Sequence, residues 1–356
     1  MKKYMDKDKT TQLAYASQYA SVANYWKNRQ GTIDAVIKNG TIGDKQNIEK
    51  TFRQWAAQPG NEMYDGVLEE IATYYKQVSE RNVERNYSSL LTRNAKYISL
   101  AYQLAPTLDA YAKQDMAGRL AMKPKVEAAI KAAYDNINPE LEGEMLNSLV
   151  NLYKTRVNAD VASPTIMALD ANNLSTVAFS SIFANKTSVT NYILNPDRLK
   201  LDADPLLKIA KGIADDQRVS SERFVKIDDN FAKNNRLFLA GLMKAMPEKK
   251  FYPDANSTMR LTYGQIDTLP MRDDRNYFGV TENYYTTMEG LVGKYKAGDE
   301  EFDLPQRVIA LQNAKDYGQY ADKAGYLPVN FLSNNDITGG NSGSPVIDGD
   351  GNLIGI

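Results

Sequence analysis

One change of periodicity divides this sequence. Up to about residue 250, apolar side chains recur at three- and four-residue steps, the spacing that gathers them on one face of an α-helix. Tyr15, Tyr19, Val22 and Trp26 follow it, as do Val67, Ile71, Tyr74 and Val78, and Phe224, Ile227, Phe231, Phe238 and Leu242 keep a similar beat. Between them stand Ala, Lys, Glu, Gln and Leu, all good helix formers. Gln58-Pro59-Gly60-Asn61, Ala105-Pro106, Lys123-Pro124 and Asn138-Pro139 read as punctuation between helices. Residues 157–200, with Ser163-Pro164, Asn195-Pro196 and the polar pair Asn172-Asn173, read as short helices and loops. The 23 tyrosines fall mostly at core spacing, with their hydroxyls expected at the rim of the packing faces.

After Lys250 the pattern becomes that of strands. Phe251-Tyr252-Pro253-Asp254-Ala255-Asn256 reads as a turn, and Thr258–Ile266, rich in β-branched and aromatic residues, predicts a strand. Thr286 and Glu289 are spaced as a capping box opening a short helix through Leu291 and Val292. Asn330–Leu332, Pro345–Ile347 and Leu353-Ile354 predict further strands. The organisation expected is therefore a helical domain over residues 1–250 and a β-rich segment over residues 251–356.

Composition narrows the chemistry. The 356 residues carry 43 Lys+Arg against 44 Asp+Glu, so no long-range attraction to nucleic acid or an anionic membrane is expected. No apolar run approaches the ~18 residues of a membrane span. With no cysteine, disulfides, thiolate metal sites and Cys nucleophiles are excluded. With no histidine, these residues alone cannot supply an imidazole base or metal ligand. The opening MKKYMDKDK lacks an apolar stretch and is no signal peptide. The last residues, Leu353-Ile354-Gly355-Ile356, are strand-like, and an unpaired apolar edge invites aggregation. The expectation is an internal piece of a longer polypeptide.

The chemistry-bearing stretch is Thr338-Gly339-Gly340-Asn341-Ser342-Gly343-Ser344-Pro345-Val346. A serine nucleophile needs a tight turn that frees its Oγ, two N–H groups aimed at one point for the oxyanion, and small neighbours that admit a peptide. Gly340 and Ser342 are positioned to supply those N–H groups, Gly343 permits the unusual backbone, and Pro345 leads into a strand. Asp348-Gly349-Asp350-Gly351-Asn352 begins like a calcium loop, but Leu353 replaces the required glycine and no closing Glu exists. It reads as a hairpin turn.

The string TGGNSGSPV resembles the nucleophile loop of bacterial chymotrypsin-like serine peptidases. Together with FLSNNDITGG, YPDANSTMRLTYGQI and YASQYASVANYWKN, it resembles the dipeptidyl-peptidase 7 and 11 family, in which a large helical domain is inserted into a double barrel. That resemblance implies an α+β fold, a large all-α domain followed by part of an antiparallel β-barrel. It implies release of dipeptides from the free N-terminus of oligopeptides through an acyl-enzyme on Ser342, without metal or cofactor. The triad His and Asp would lie in the barrel half preceding the insertion. It also implies an exported, periplasmic or cell-surface bacterial protein with a signal peptide on the parent chain, which tends to form a homodimer.

The remaining site residues are less sharply defined. Asn341 stands where trypsin-like zymogens place an Asp that pairs with a new N-terminus, so activation by such an ion pair is not expected. Asp336, six residues before Ser342, reads first as a turn cap and alternatively as the floor of the S1 pocket. The resemblance to the related glutamyl endopeptidases places Thr338 in that pocket. The resemblance to the dipeptidyl-peptidase family places Asn24, with Asn28 as second choice, at the substrate's α-ammonium group. Two other readings remain: a non-catalytic helical binding protein with a degenerate peptidase tail, and a glutamyl-endopeptidase-like enzyme. The long helical domain argues against the latter.

Overall fold

The computed structural model describes residues 1–252, 256–268, 284–299, 301–337 and 339–356. The chain divides into two compact units, Met1–Lys249 and Lys250–Ile356.

The first unit is all helix. After a single turn, α1 (Lys2–Met5), come α2 (Lys9–Lys38), α3 (Thr41–Ala56), α4 (Val67–Asn94), α5 (Lys96–Ala112), α6 (Met116–Tyr134) and α7 (Pro139–Arg156). The short helices α8 (Pro164–Ala168), α9 (Leu174–Phe179), α10 (Lys186–Leu194) and α11 (Arg198–Ala203) follow, as residues 157–200 suggest. The 41-residue α12 (Pro205–Ala245) closes the unit, about 60 Å long at ~1.5 Å per residue. It lies against both α4 and α5. Leu206, Ile209, Ala210 and Ile213 of its first turns join Tyr97, Leu104, Leu108, Val150 and Tyr153 in one buried cluster. At its far end Gly241 meets Phe52, Trp55 and Tyr64; a Cβ there would stand 2.5 Å from the Phe52 ring.

Several expectations need correction. Pro106 and Pro124 lie inside α5 and α6 and do not break them. Both prolines are exposed, so the carbonyls they leave unpaired, on Tyr102 and Leu120, lie on faces open to water, while Leu104, Ala105 and Leu108 bury the opposite face of α5. The tyrosine hydroxyls are not confined to rims: Tyr15 and Tyr97 are fully buried, and they donate to Glu142 and to the Ala184 carbonyl. On α2 the apolar stripe outruns its cover: Tyr15 is buried, but Val22 and Trp26 are 44% and 56% exposed.

A polar seam interrupts the α4 stripe. Beyond Val78 the buried positions are Arg81, Glu84 and Ser88, before Leu91 restores the apolar face. Arg81 forks onto Asp228 of α12 with bonds of 2.9 and 2.8 Å and lies over the Phe224 ring. Glu84 accepts from Tyr153, and Gln217 donates to Ser88. The Arg81 guanidinium holds the Asp228 carboxyl below its ordinary range, whereas burial pushes Glu84 up. Buried polar groups need such partners because an unpaired one costs ~1–3 kcal/mol.

The second unit carries two small antiparallel sheets. In the first, β1 (Ile266–Asp267) and β2 (Tyr285–Thr287) flank β3 (Pro328–Ser333), with Ile266 opposite Ser333 and Tyr285 opposite Phe331. In the second, β4 (Val346–Ile347) pairs with β5 (Leu353–Gly355). Gly355 closely approaches the Phe331 ring, which ties the hairpin to β3. Two helices, α13 (Met288–Val292) and α14 (Gln306–Ala314), lie between β2 and β3. The capping box is absent: Thr287 is the N-cap and makes no side-chain bond. Thr286 belongs to β2, where its Oγ1 accepts the Asn330 N–H. Of the expected strand over Thr258–Ile266, only Ile266 enters a ladder. Side-chain bonds largely take the place of a ladder: Asn334 Oδ1 accepts from the Gln265 N–H and Thr262 Oγ1 donates to the Asp336 carbonyl, beside one backbone bond from the Asn334 N–H to the Gln265 carbonyl.

Candidate active site

The loop bearing Ser342 follows β3. The Ser344 N–H donates to the Asn341 carbonyl at 2.9 Å, closing a four-residue turn with Ser342 at its second position. Gly343, the third, takes φ +80°, and Gly340 ahead of the turn takes φ +102°. Any other residue pays for this left-handed region through its Cβ, so the two glycines permit the bend. The result is an exposed Ser342 at the apex. Neither the Gly340 nor the Ser342 N–H is engaged by another hydrogen bond among the described residues. Unengaged N–H donors on such a turn are the kind of group an oxyanion site draws on.

Downstream, the loop is anchored by the β4–β5 hairpin. Asp348 accepts the N–H groups of Asp350 and Asn352 through Oδ1 and the Asn352 side chain through Oδ2. The Asn352 side-chain bond, with these backbone bonds, keeps the Asp348 carboxyl below its ordinary range. The aspartates of this stretch thus build a hairpin, as the sequence suggests. Upstream, residues 262–267 run antiparallel to 332–336, and Arg260 Nη2 donates to Asn341 Oδ1 at 3.2 Å, beside Ser342. Arg260 and Thr262 escape a sequence reading, because nothing in a linear pattern pairs residues 81 and 74 positions apart.

The other candidates distribute as follows. Asp336 is exposed; its carbonyl accepts from Thr262, and among the described residues its carboxylate bonds no backbone N–H. The turn-cap reading of Asp336 is therefore replaced by a backbone anchor. Thr338 lies outside the described residues. Asn24 and Asn28 sit on the exposed second half of α2, in the first unit. The first half of α2 is fixed firmly: Asp8 caps it through the Thr10 and Thr11 N–H groups, Asn138 donates to Thr11, and Tyr15 donates to the fully buried Glu142 at 2.7 Å. Beside Asn24, Tyr25 stands 61% exposed beneath the Arg29 guanidinium. No group of three or more carboxylates suited to holding a metal ion occurs among the described residues, and no described helix is long and apolar enough to cross a membrane.

Known proteins of the same build exist. The chain is 37% identical over 364 residues to "Dipeptidyl-peptidase 7" of Capnocytophaga gingivalis, covering 100% of this chain and 50% of that protein. It is 33% identical over 377 residues to the "Asp/Glu-specific dipeptidyl-peptidase" of Flavobacterium psychrophilum, covering 99% and 50%. The crystal structure of Porphyromonas endodontalis DPP11 in complex with the dipeptide Arg-Glu superposes with a TM-score of 0.81 at 26% identity, covering 99% of this chain and 51% of that one. The chain thus spans about half the length of these relatives. The Peptidase S46 family model matches residues 1–356, and the chain belongs to the Peptidase S46 family.

Proposed function

We propose that these residues carry the nucleophile and the helical domain of a serine dipeptidyl-peptidase, a chymotrypsin-like enzyme that removes dipeptides from the free N-terminus of oligopeptides. The observation that carries the reading is the Ser342 turn, with left-handed Gly343, left-handed Gly340 and two unengaged N–H groups. In the reaction, Ser342 Oγ attacks the second peptide carbonyl of the substrate. The oxyanion settles between the N–H groups of Gly340 and Ser342, each worth roughly 2.7–4 kcal/mol of barrier in such sites. The Ser342 proton passes to a base and then to the leaving amine, and water releases the dipeptide from Ser342. That base comes from outside these 356 residues, which hold no histidine.

A dipeptidyl-peptidase must also count two residues from the substrate's end, which requires acceptors for the α-ammonium group. Asn24, presented on the exposed half of α2, is assigned that role, and Asp336 and Thr338 are assigned to the S1 pocket. An exported, periplasmic or cell-surface enzyme acting as a homodimer completes the reading. The names of the relatives support the substrate class.

The test compares a dipeptidyl substrate with its N-acetylated form in the full-length protein that carries these residues. Hydrolysis of the free form alone, abolished by Ser342→Ala, is the expected result. Hydrolysis of both forms would favour an endopeptidase, and hydrolysis of neither would favour a non-catalytic helical protein.

A further inference from the structure

The segment ahead of β1 is short of ladder bonds yet closely tied to the stretch that ends in Ser342. Working along it, Gln265 and Asn334 exchange two bonds: the Asn334 N–H to the Gln265 carbonyl at 3.0 Å, and the Gln265 N–H to Asn334 Oδ1 at 2.8 Å. Thr262 reaches the Asp336 carbonyl at 2.9 Å. Gly264 leaves no room for a side chain: a Cβ there would come within 2.5 Å of Asn334 Oδ1 and 2.9 Å of the Asn335 N. The strap ends where Arg260 meets Asn341.

That last contact has a specific consequence. Asn341 is the first residue of the turn whose second is Ser342, and its own carbonyl closes that turn. Its side chain is half-buried, as is Arg260, so the guanidinium grips the residue from which the nucleophile departs. Upstream and downstream of it, Gly339 and Gly343 have open space around them. Among the described residues, Asn341 is the turn residue held by a side-chain hydrogen bond. A cation bonded to an amide oxygen gives a charge-assisted bond, stronger than a neutral one, and fixes the peptide planes on either side of Asn341.

We propose that Arg260 is a positioning residue for the Ser342 turn: through Asn341 Oδ1 it holds the backbone that aims Ser342 Oγ and the oxyanion N–H groups. An internal guanidinium thus orders this loop from within the fold, with no freed N-terminus. The proposal rests on the reading of Ser342 as nucleophile. A misplacement of ~1 Å in such a site costs on the order of 100-fold in rate, and the loss falls on kcat when the interaction is made only in the transition state.

The experiment measures kcat and KM for a dipeptidyl substrate in the full-length protein. Arg260→Ala and Asn341→Ala are each expected to lower kcat by about 10- to 100-fold with KM changed by less than about threefold. The double variant is expected to be no worse than the poorer single one, because both remove the same contact. Arg260→Lys, which keeps a cationic donor, and Asn341→Asp, which strengthens the acceptor, are expected to retain most of kcat. If Arg260→Ala does not fold, the contrast between Arg260→Lys and Asn341→Ala decides the matter. A kcat within about twofold of the parent in Arg260→Ala or Asn341→Ala, or losses that multiply in the double variant, would overturn the proposal. Full activity in Ser342→Ala would instead overturn the reading beneath it.

Discussion

Replacing Tyr15 by Phe removes one oxygen atom and leaves the ring that fills the core. The lost hydroxyl donates to Glu142 Oε1 at 2.7 Å and accepts the Asn138 N–H at 3.1 Å. A hydrogen bond to a charged group contributes about 1.5–3 kcal/mol, and an orphaned buried N–H adds about 1 more. The expected loss is therefore about 3 kcal/mol at neutral pH. Its pH dependence is the sharper signature. Burial raises the Glu142 carboxyl above its ordinary range, against the Tyr15 bond and the Lys96 N–H and ammonium, which lower it. A carboxyl raised in the folded state favours folding below its unfolded pKa, and that contribution is lost as pH rises through the folded value. Without the Tyr15 donor the folded value rises further, so the cost of Tyr15→Phe grows as pH rises above the ordinary carboxylate range. Urea unfolding followed by far-UV circular dichroism, dominated by the helical unit, measures it. A loss below about 1 kcal/mol, or one that does not grow with pH, would refute the buried-carboxylate argument. This network anchors the first half of α2, the helix that carries Asn24.

The other predictions concern the same unit. Gly241→Ala drives a methyl into the Phe52, Trp55 and Tyr64 rings and is expected to destabilise by about 1–3 kcal/mol; Gly31→Ala, with nothing within 4 Å, is expected to stabilise α2 by about 0.5–1 kcal/mol, and thermal melts distinguish the two. Asp228→Ala leaves the 3%-exposed Arg81 without its carboxylate, at a cost of roughly 2–3 kcal/mol, below the range for a fully buried pair because the carboxylate side is open to water. Replacing both groups, with Arg81→Met and Asp228→Ala, is expected to cost less than Asp228→Ala alone, and an equal or larger cost would contradict the argument. Asp228 is held low by Arg81, so its contribution is present above the ordinary carboxylate range and lost as pH falls through the folded value; acid unfolding of Asp228→Asn is expected to be correspondingly shallower.

Much of the architecture was legible because it rests on local physics. The three- and four-residue beat gave α2, α4 and α12, since burial of one face needs only that spacing. The glycines around Ser342 announced the turn, since only they take its backbone angles cheaply, and Asp348 announced its hairpin. Pairings across the chain were not legible. Arg81, Glu84 and Ser88 look like solvated positions on α4 until α7 and α12 supply their partners. Pro106 and Pro124 read as breaks, because a one-dimensional pattern does not say that their missing N–H groups fall on the wet face. Thr258–Ile266 has strand composition but takes its bonds from Asn334 and the Asp336 carbonyl, so most of it joins no ladder. Arg260 carried no signal because its partner lies so far along the chain.

The central claim is that Ser342 is the nucleophile, and trapping tests it most directly. The full-length protein is treated with a fluorophosphonate carrying a dipeptidyl recognition element, digested, and mapped by mass spectrometry. The account predicts one stoichiometric adduct on the peptide containing Asn341-Ser342-Gly343, suppressed by a dipeptidyl substrate and absent in Ser342→Ala. Full labelling at another serine, with Ser342 unmodified, would contradict it.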